Sequence, residues 1–181
     1  YVLETGGIVS RWNYNTGEYQ GSFRVISNAI GIKSASTANG ILAYSATQAN
    51  LYDQATANII GVYTVPAGQT VASMAVTNGR VYSLFKNPEV IAQYGLSGGA
   101  SSVATGSTNV LLLGGSGTQL AYTYTGEGVG LAGLSPSSGL VTWAVQRSVS
   151  SLVSGLSGVA IGHDRLLYAT GRNAANTAQG I

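Results

Sequence analysis

The chain contains no cysteine. A disulfide framework, a thiolate metal site and a cysteine nucleophile are therefore excluded. Histidine is almost as rare, since His163 is the only one. Zinc held by several imidazole nitrogens is not expected for the same reason.

Charged residues are also scarce, at 8% of the chain, whereas ordinary proteins have about a quarter. The formal net charge is +2, and the lysines and arginines form no run. A nucleic-acid partner is therefore not expected, because binding a phosphate backbone requires a concentrated basic surface. No membrane span is expected either, because the longest apolar runs, such as residues 110–113, are far shorter than the roughly 20 residues of a spanning helix.

Glycine, small hydroxyl residues and tyrosine are abundant, with 26 Gly and 11 Tyr. Together with alternating apolar residues, this composition is typical of strands joined by tight turns. The same composition is typical of secreted filament, surface-layer and adhesin proteins, so we expect an extracellular or cell-surface location. We also expect a mature, trimmed or partial product, because Tyr1 opens the chain inside a predicted strand.

Turn-like pairs recur along the chain at a nearly constant interval. The pairs are Thr16-Gly17, Thr56-Ala57, Ser97-Gly98, Ser138-Gly139 and Gln179-Gly180. Their first members are about 40 or 41 residues apart. The interval has a physical cause, since glycine adopts the positive φ that a tight hairpin turn requires.

A second marker, a strand-like segment ending in tyrosine, precedes each turn. These tyrosines are Tyr44, Tyr82, Tyr122 and Tyr168. A strand such as residues 59–65 follows each turn, and a fourth strand such as residues 71–76 completes each unit. Repeats of this length with four strands are typical of propeller blades. The sequence predicts an all-β β-propeller of four-stranded antiparallel blades of about 41 residues each; the alternatives are a different β repeat and a sandwich.

The predicted repeats divide one propeller domain or propeller fragment into approximate units. These are residues 1–37, 38–78, 79–117, 118–161 and a partial unit 162–181. A ring closed by the chain's own ends would have four or five blades. We favour the other interpretation, part of a larger propeller in a longer chain, because the sequence begins and ends within predicted blades.

The turn segments resemble the quinoprotein-type propeller repeat, in which an Asp and a Thr-Gly pair precede a Trp. Residues 14–23 keep Thr16-Gly17, residues 53–63 keep Asp53 and Thr56, and residues 135–143 keep Gly139 and Trp143. WD-repeat-like and surface-layer propellers without a cofactor use similar turns. The quinone enzymes hold their cofactor through calcium ligands and paired cysteines, so the resemblance implies a degenerate, non-catalytic propeller.

Candidate catalytic groups are few. His163 and Asp164 could form a general-base pair, but Asn39-Gly40 and Asn78-Gly79 occupy the corresponding place in other units, so a turn is favoured. The carboxylates are Glu4, Glu18, Asp53, Glu89, Glu127 and Asp164. They stand at different places within their units, and we do not expect two of them to converge as a glycosidase pair. The sequence therefore predicts no catalytic, cofactor-binding or metal-binding residue and no enzyme.

Tyrosines provide the candidate interaction surface for protein or sugar. The residues are Tyr14, Tyr19, Tyr52, Tyr94, Tyr122 and Tyr124. The alternative is that these rings pack between strands and fill the space between blades.

The function expected from the sequence is that of a structural, protein-interaction propeller module in an extracellular filament, appendage or surface assembly. Its partners would be protein neighbours, either copies of itself or other domains of a longer chain. A carbohydrate-binding or adhesive propeller, with glycans as ligands, is the first alternative. A quinoprotein-like or glycosidase enzyme using Glu127 or Asp53 is the second.

Overall fold

The computed structural model describes residues 1–35, 38–86, 89–104, 110–124, 128–149, 154–162, 166–172 and 178–180. These residues form strands and turns and contain no α-helix, which confirms the predicted all-β class. In the same part of the chain, no helix has the length and apolar character needed to cross a membrane.

The described strands form five antiparallel groups that follow one another along the chain, and we call each group a meander. The first is β1 (Val2–Glu4), β2 (Ile8–Trp12) and β3 (Tyr19–Arg24). The second is β4 (Gly31–Ala35), β5 (Gly40–Tyr44), β6 (Ala49–Asp53) and β7 (Ile59–Tyr63). The third is β8 (Thr70–Thr77), β9 (Arg80–Lys86), β10 (Val90–Gly95) and β11 (Gly98–Ala104).

Two further meanders complete the described fold. The fourth is β12 (Val110–Ser116), β13 (Gln119–Tyr124), β14 (Gly128–Leu134) and β15 (Val141–Ser148). The fifth is β16 (Ser154–Ile161), β17 (Leu167–Arg172) and β18 (Ala178–Gly180). Four-stranded meanders therefore begin at residues 31, 70 and 110, close to the interval that the sequence predicts.

The meanders begin one strand earlier than the predicted repeats. Residues 71–76 were expected to complete the unit 38–78, but they lie in β8, which pairs with β9 and opens the third meander. The sequence interval fixes the length of a repeat but not where the repeat starts. The start of a meander is decided by the strand with which β8 pairs. The strands before and after β8 along the chain, β7 and β9, are of similar composition, so the sequence does not show which of them is the partner.

The second and third meanders are joined into one eight-stranded sheet by a short parallel contact between β7 and β11. Gly98 pairs with Val62, and Gly99 with Tyr63. Gly98 has a φ of 86°, and a Cβ atom there would lie 2.1 Å from the Val62 carbonyl oxygen. Glycine therefore permits both the turn and the close approach.

The first strands of successive meanders lie against one another. Contacts join β4 to β8, β8 to β12 and β12 to β16. The Leu113 amide donates to the Ser73 Oγ at 3.0 Å. At Gly114 a Cβ atom would lie 2.4 Å from the Val159 carbonyl oxygen, so glycine allows β12 to approach β16.

The hydrophobic core lies between successive meanders. One cluster joins residues such as Leu51 of the second meander to Phe85 of the third. The next cluster joins Leu84 of the third meander to Leu120 of the fourth. Neighbouring residues of β9 thus face opposite clusters, as the two-residue period of a strand requires. The third meander is therefore covered on both faces.

The predicted turn recurs in the structure with one backbone conformation. Positive φ occurs at Gly17 (68°), Ala57 (60°), Gly98 (86°) and Gly139 (73°). The amides of Gly17, Ala57 and Gly139 each donate to the carbonyl oxygen of the residue four places earlier, at 2.9, 2.9 and 2.8 Å respectively. The fifth predicted turn, Gln179-Gly180, is wrong, because both residues lie in β18 and pair with β17.

A side-chain acceptor closes each of these three turns. Asn13 Oδ1 accepts from the Thr16 amide at 3.1 Å, and Ser135 Oγ accepts from the Ser138 amide at 3.3 Å. Asp53 Oδ1 accepts from both the amide and the hydroxyl of Thr56, at 2.7 and 2.9 Å. These two hydrogen bonds, the amide bond first, hold the pKa of Asp53 below its ordinary value. The turn is thus stabilised within six residues of chain.

Each described turn from the second to the fourth meander also accepts hydrogen bonds from the preceding meander. Arg11 donates to the Gln54 carbonyl at 3.1 Å, and Tyr63 donates to the Leu96 carbonyl at 2.6 Å. Four donors reach the turn of the fourth meander, at 2.7–3.0 Å: Asn78 to Ser135, Arg80 to Ser137, Gln93 to Ser138 and Tyr82 to Gly139. The repeated turn is therefore also the contact between neighbours.

Candidate interaction surface

Three of the six tyrosines expected on an interaction surface are interior residues. Tyr52, Tyr94 and Tyr122 are buried, and Tyr124 is partly buried against the second hydrophobic cluster. Placing Tyr52, Tyr94 and Tyr122 on an exposed binding face was therefore wrong. They follow the alternative interpretation, in which rings fill the space between strands.

Strand glycines explain where the rings of the fourth meander lie. A Cβ atom on Gly130 would lie 2.2 Å from the Tyr122 ring, and one on Gly128 would lie 1.9 Å from the Tyr124 ring. Each ring therefore covers the glycine of the adjacent strand, which offers apolar backbone surface without a side chain. The glycine spacing in residues 128–133 was the sequence signal that could have indicated burial of these tyrosines.

The hydroxyls of Tyr63, Tyr82 and Tyr94 donate to backbone carbonyl oxygens. Tyr94 donates to the Thr64 carbonyl at 2.7 Å. Burial raises the pKa of Tyr63 to about 12, so its hydroxyl stays protonated at neutral pH and can donate to Leu96. The rings of Tyr63 and Tyr94 meet edge to face with centroids 5.6 Å apart. These tyrosines are structural.

The remaining two predicted tyrosines are exposed on the hairpin of β2 and β3, together with Trp12. Tyr14 is 99% exposed, and Tyr19 and Trp12 are about half exposed. The Trp12 and Tyr19 rings meet edge to face with centroids 5.3 Å apart, and the Trp12 Nε1 donates to the Ser10 Oγ at 2.9 Å. We call these three residues the aromatic hairpin. The structure places them together at one end of the first meander.

A second exposed apolar surface, not predicted from the sequence, follows β15. Every residue from Thr142 to Ser148 is exposed, including Trp143 and Val145. Among the described strands β15 pairs with β14 alone, so it is the outer strand of the fourth meander. The Trp143 indole lies over Gly133 of β14. Residue types could not indicate this surface, because apolar alternation is the same in an edge strand and a central one.

The outer strand β7 is the counterpart of β15 in the second meander. It also exposes large apolar residues, namely Ile59, Ile60 and Val62. Its outer edge differs from that of β15, because it is already paired with β11 at Val62 and Tyr63. The two outer strands are thus similar in exposure but not in pairing.

The carboxylates considered for catalysis are not assembled into one site in the described part of the chain. Asp53 closes a turn, and Glu89 pairs with Lys86 at 2.5 Å and accepts from the Val110 amide at 2.8 Å. Glu127, His163 and Asp164 lie outside the described residues. Among those that are described, no three His, Asp or Glu side chains form a group that could hold a metal ion.

Two cavities lie along the first strands. The larger, about 600 Å³, is lined by uncharged residues around Asn78 and Gly117. The smaller, about 280 Å³, contains the side chain of Lys33.

The fold defines a class of protein, an all-β repeat of antiparallel meanders whose first strands contact one another in succession.

No protein-family model and no curated protein matches the chain. Two solved structures are similar in fold. The structure of U3-55K has a TM-score of 0.62 and 9% sequence identity, covering 94% of this chain and 70% of that one. A protein of unknown function from Bacteroides caccae has a TM-score of 0.57 and 12% sequence identity, and the match covers 97% of this chain and 69% of that one.

At these identities the similarity concerns the fold alone. Matches extend to 320 chains of solved structures, so the arrangement is a common one. A common fold carries many functions, and a functional argument must therefore start from the exposed surfaces and cavities of this chain.

Proposed function

We propose that the chain is a structural, protein-interaction module whose meanders are the blades of a β-propeller. The succession of first strands from β4 to β16 supports the arrangement, because propeller blades pack their inner strands around a common axis. Hydrophobic clusters between successive meanders support it as well. The turns closed by Asn13, Asp53 and Ser135 are the segments that resemble quinoprotein-type and WD-repeat-like repeats, and the proposal includes no catalytic step.

The observation that carries the interaction role is the exposure of β15, which pairs with β14 alone among the described strands. An eight-residue edge strand with exposed aromatic and β-branched residues is a template for pairing with another strand. Proteins that avoid such pairing place lysine, proline or inward-pointing charge on the edge. Within β15 the one charged residue is Arg147.

The partner we propose is β15 of a second copy of this chain. Edge-to-edge pairing of outer strands already occurs inside the molecule, between β7 and β11. An antiparallel pair of identical strands is self-complementary about a two-fold axis, so one surface serves both copies. The low charge of the chain means that little electrostatic repulsion opposes the contact.

Replacing Val145 by Lys should weaken self-association by about tenfold or more, because it adds a positive charge to each of the two paired strands. The measurement is sedimentation equilibrium of the full chain over a wide concentration range. Val62→Lys is the matched control. Val62 is 58% exposed and Val145 56% exposed, and both lie on outer strands, but the edge at Val62 is already paired. A wild-type chain that stays monomeric throughout, or equal weakening by Val62→Lys, would contradict the proposal.

An extracellular or cell-surface filament, appendage or layer is the setting we propose for this contact. The support is compositional, since few charges and many tyrosines and small hydroxyl residues suit broad, weakly polar contacts between protein neighbours.

A second candidate function, glycan binding, is favoured by the aromatic hairpin. Exposed rings held in fixed positions offer flat apolar faces to sugars, and the edge-to-face contact of Trp12 with Tyr19 holds two of them. If the hairpin binds sugar, Trp12→Ala should abolish most of the signal on a glycan array. Trp143→Ala is the matched control, because both tryptophans are 47% exposed. Absence of array binding by the wild type, or equal loss in both variants, would exclude this role.

A further inference from the structure

The smaller cavity lies where four first strands converge. Lys33 comes from β4, Ser73 from β8, Leu113 from β12 and Ser157 from β16, and all four residues line it. At about 280 Å³, the cavity is just below the range of about 300–1,000 Å³ typical of sites for drug-sized ligands. The space is therefore suited to a small molecule or ion.

Among the described residues that line this cavity, Lys33 is the one that carries a charge. Its Nζ lies 3.4 Å from the Leu113 carbonyl oxygen, which is a long hydrogen bond. Burial lowers the pKa of the Lys33 amine, because a charged group loses hydration on leaving water. The environment of the amine thus lacks the compensation that a buried cation ordinarily has.

No carboxylate in the described part of the chain supplies that compensation. Glu89 pairs with Lys86, and Asp53 accepts hydrogen bonds within its own turn. Glu4 lies in β1, and Glu18 in the hairpin that follows β2; neither lines the cavity. A desolvated cation that has no carboxylate beside it among the described residues would be stabilised by an anion from solution.

Hydroxyl groups surround the same space. Ser73 Oγ accepts from the Leu113 amide at 3.0 Å. The Tyr44 hydroxyl lines the cavity as well, and its one O–H hydrogen can be donated to a ligand. Ser157 is a further lining residue, and its hydroxyl donates to the Thr170 carbonyl oxygen at 3.4 Å.

We propose that this cavity binds a small oxyanion, a carboxylate or a phosphate, with Lys33 as its counter-ion and the Tyr44 hydroxyl as an additional donor. The shared chemistry is a negatively charged oxygen that accepts charge-assisted hydrogen bonds from the amine. This site is separate from the β15 edge and from the aromatic hairpin. Its failure would therefore leave the proposed interaction role standing.

The test is titration of the full chain with malonate and, separately, with inorganic phosphate, by isothermal titration calorimetry at constant ionic strength. We expect saturable binding of at least one of the two anions at a single site. If malonate alone binds, the ligand is assigned as a carboxylate. If phosphate alone binds, it is assigned as a phosphate. If both bind, the site recognises the negatively charged oxygen that the two anions share. Absence of saturable binding for both anions would overturn the proposal.

Variants separate the site from general charge effects. Lys33→Met keeps most of the length of the side chain without its charge and should weaken binding by about tenfold to a hundredfold, as expected for loss of a charged hydrogen-bond partner. Arg24→Gln removes one exposed positive charge from β3, outside the cavity, and should leave affinity unchanged. Equal affinity in wild type and Lys33→Met, or an equal loss in Arg24→Gln, would contradict the assignment.

A measurement without mutation keeps the proposal testable if Lys33→Met does not fold. Lys33 and Lys86 are the two lysines of the chain, so carbon-labelled lysine gives two resolvable NMR signals. The bound anion should shift the Lys33 signal and leave the Lys86 signal unchanged. A shift at Lys86 alone, or at neither lysine, would show that the anion does not occupy this cavity.

Discussion

Replacing Tyr82 by Ala should lower the free energy of unfolding by about 3–5 kcal/mol, the range for removing a large aromatic side chain from a core. Tyr82 is fully buried in the cluster between the third and fourth meanders. Its hydroxyl donates to the Gly139 carbonyl oxygen at 2.7 Å. The substitution therefore leaves a cavity and also removes a hydrogen bond to the neighbouring turn. Urea unfolding followed by tyrosine and tryptophan fluorescence measures the change.

Tyr82→Phe separates the two contributions. It keeps the ring and removes the hydroxyl, so we expect a loss of about 1.5 kcal/mol from one buried hydrogen bond. Asn78, Arg80 and Gln93 still hold the same turn through its other carbonyl groups. If Tyr82→Ala were no more destabilising than Tyr82→Phe, the ring would not be packed between the two meanders, and the arrangement of the core would be refuted.

Replacing Gly114 by Ala should lower the free energy of unfolding by about 3 kcal/mol, because overpacking forces the backbone to move. The new Cβ atom would lie 2.4 Å from the Val159 carbonyl oxygen and 3.1 Å from its carbonyl carbon. Both contacts are with backbone, which cannot rotate away as a side chain would. The expected result is separation of β12 from β16, and urea unfolding again gives the magnitude.

Gly95→Ala is the matched control for Gly114→Ala. Gly95 lies in β10, a Cβ atom there would meet nothing within 4 Å, and its φ is not positive. Alanine should be neutral there or stabilise the fold by about 0.5 kcal/mol, because it reduces the freedom of the unfolded chain. Equal effects of the two substitutions would show that the first strands do not approach as closely as the structure indicates.

Local features of the fold were predictable to the extent that a few neighbouring residues encode them. The turns at Gly17, Ala57 and Gly139 were found from residue pairs, and each is closed by an acceptor four residues earlier. The last predicted turn failed at Gly180, which lies in a strand. A glycine suits both environments, so the residue type alone could not separate them.

The candidate surfaces were only partly predictable. Tyr14 and Tyr19 are exposed as expected, because they flank a turn at the end of a hairpin. Tyr52, Tyr94 and Tyr122 are buried, and the exposure of the strand β15 was not predicted. Exposure depends on which meander covers which face, and no short segment contains that information.

The sequence by itself determined the all-β class, the interval of the repeat and the conformation of the turns. These properties depend on alternation of side chains, on backbone conformation and on hydrogen bonds within about six residues. Tertiary structure alone decided where each meander begins, which tyrosines are interior, that β15 is an exposed outer strand and that Lys33 lines a cavity. The reason is distance along the chain: the bond from Tyr82 to Gly139 joins residues 57 positions apart, and such contacts form only when whole strands have paired.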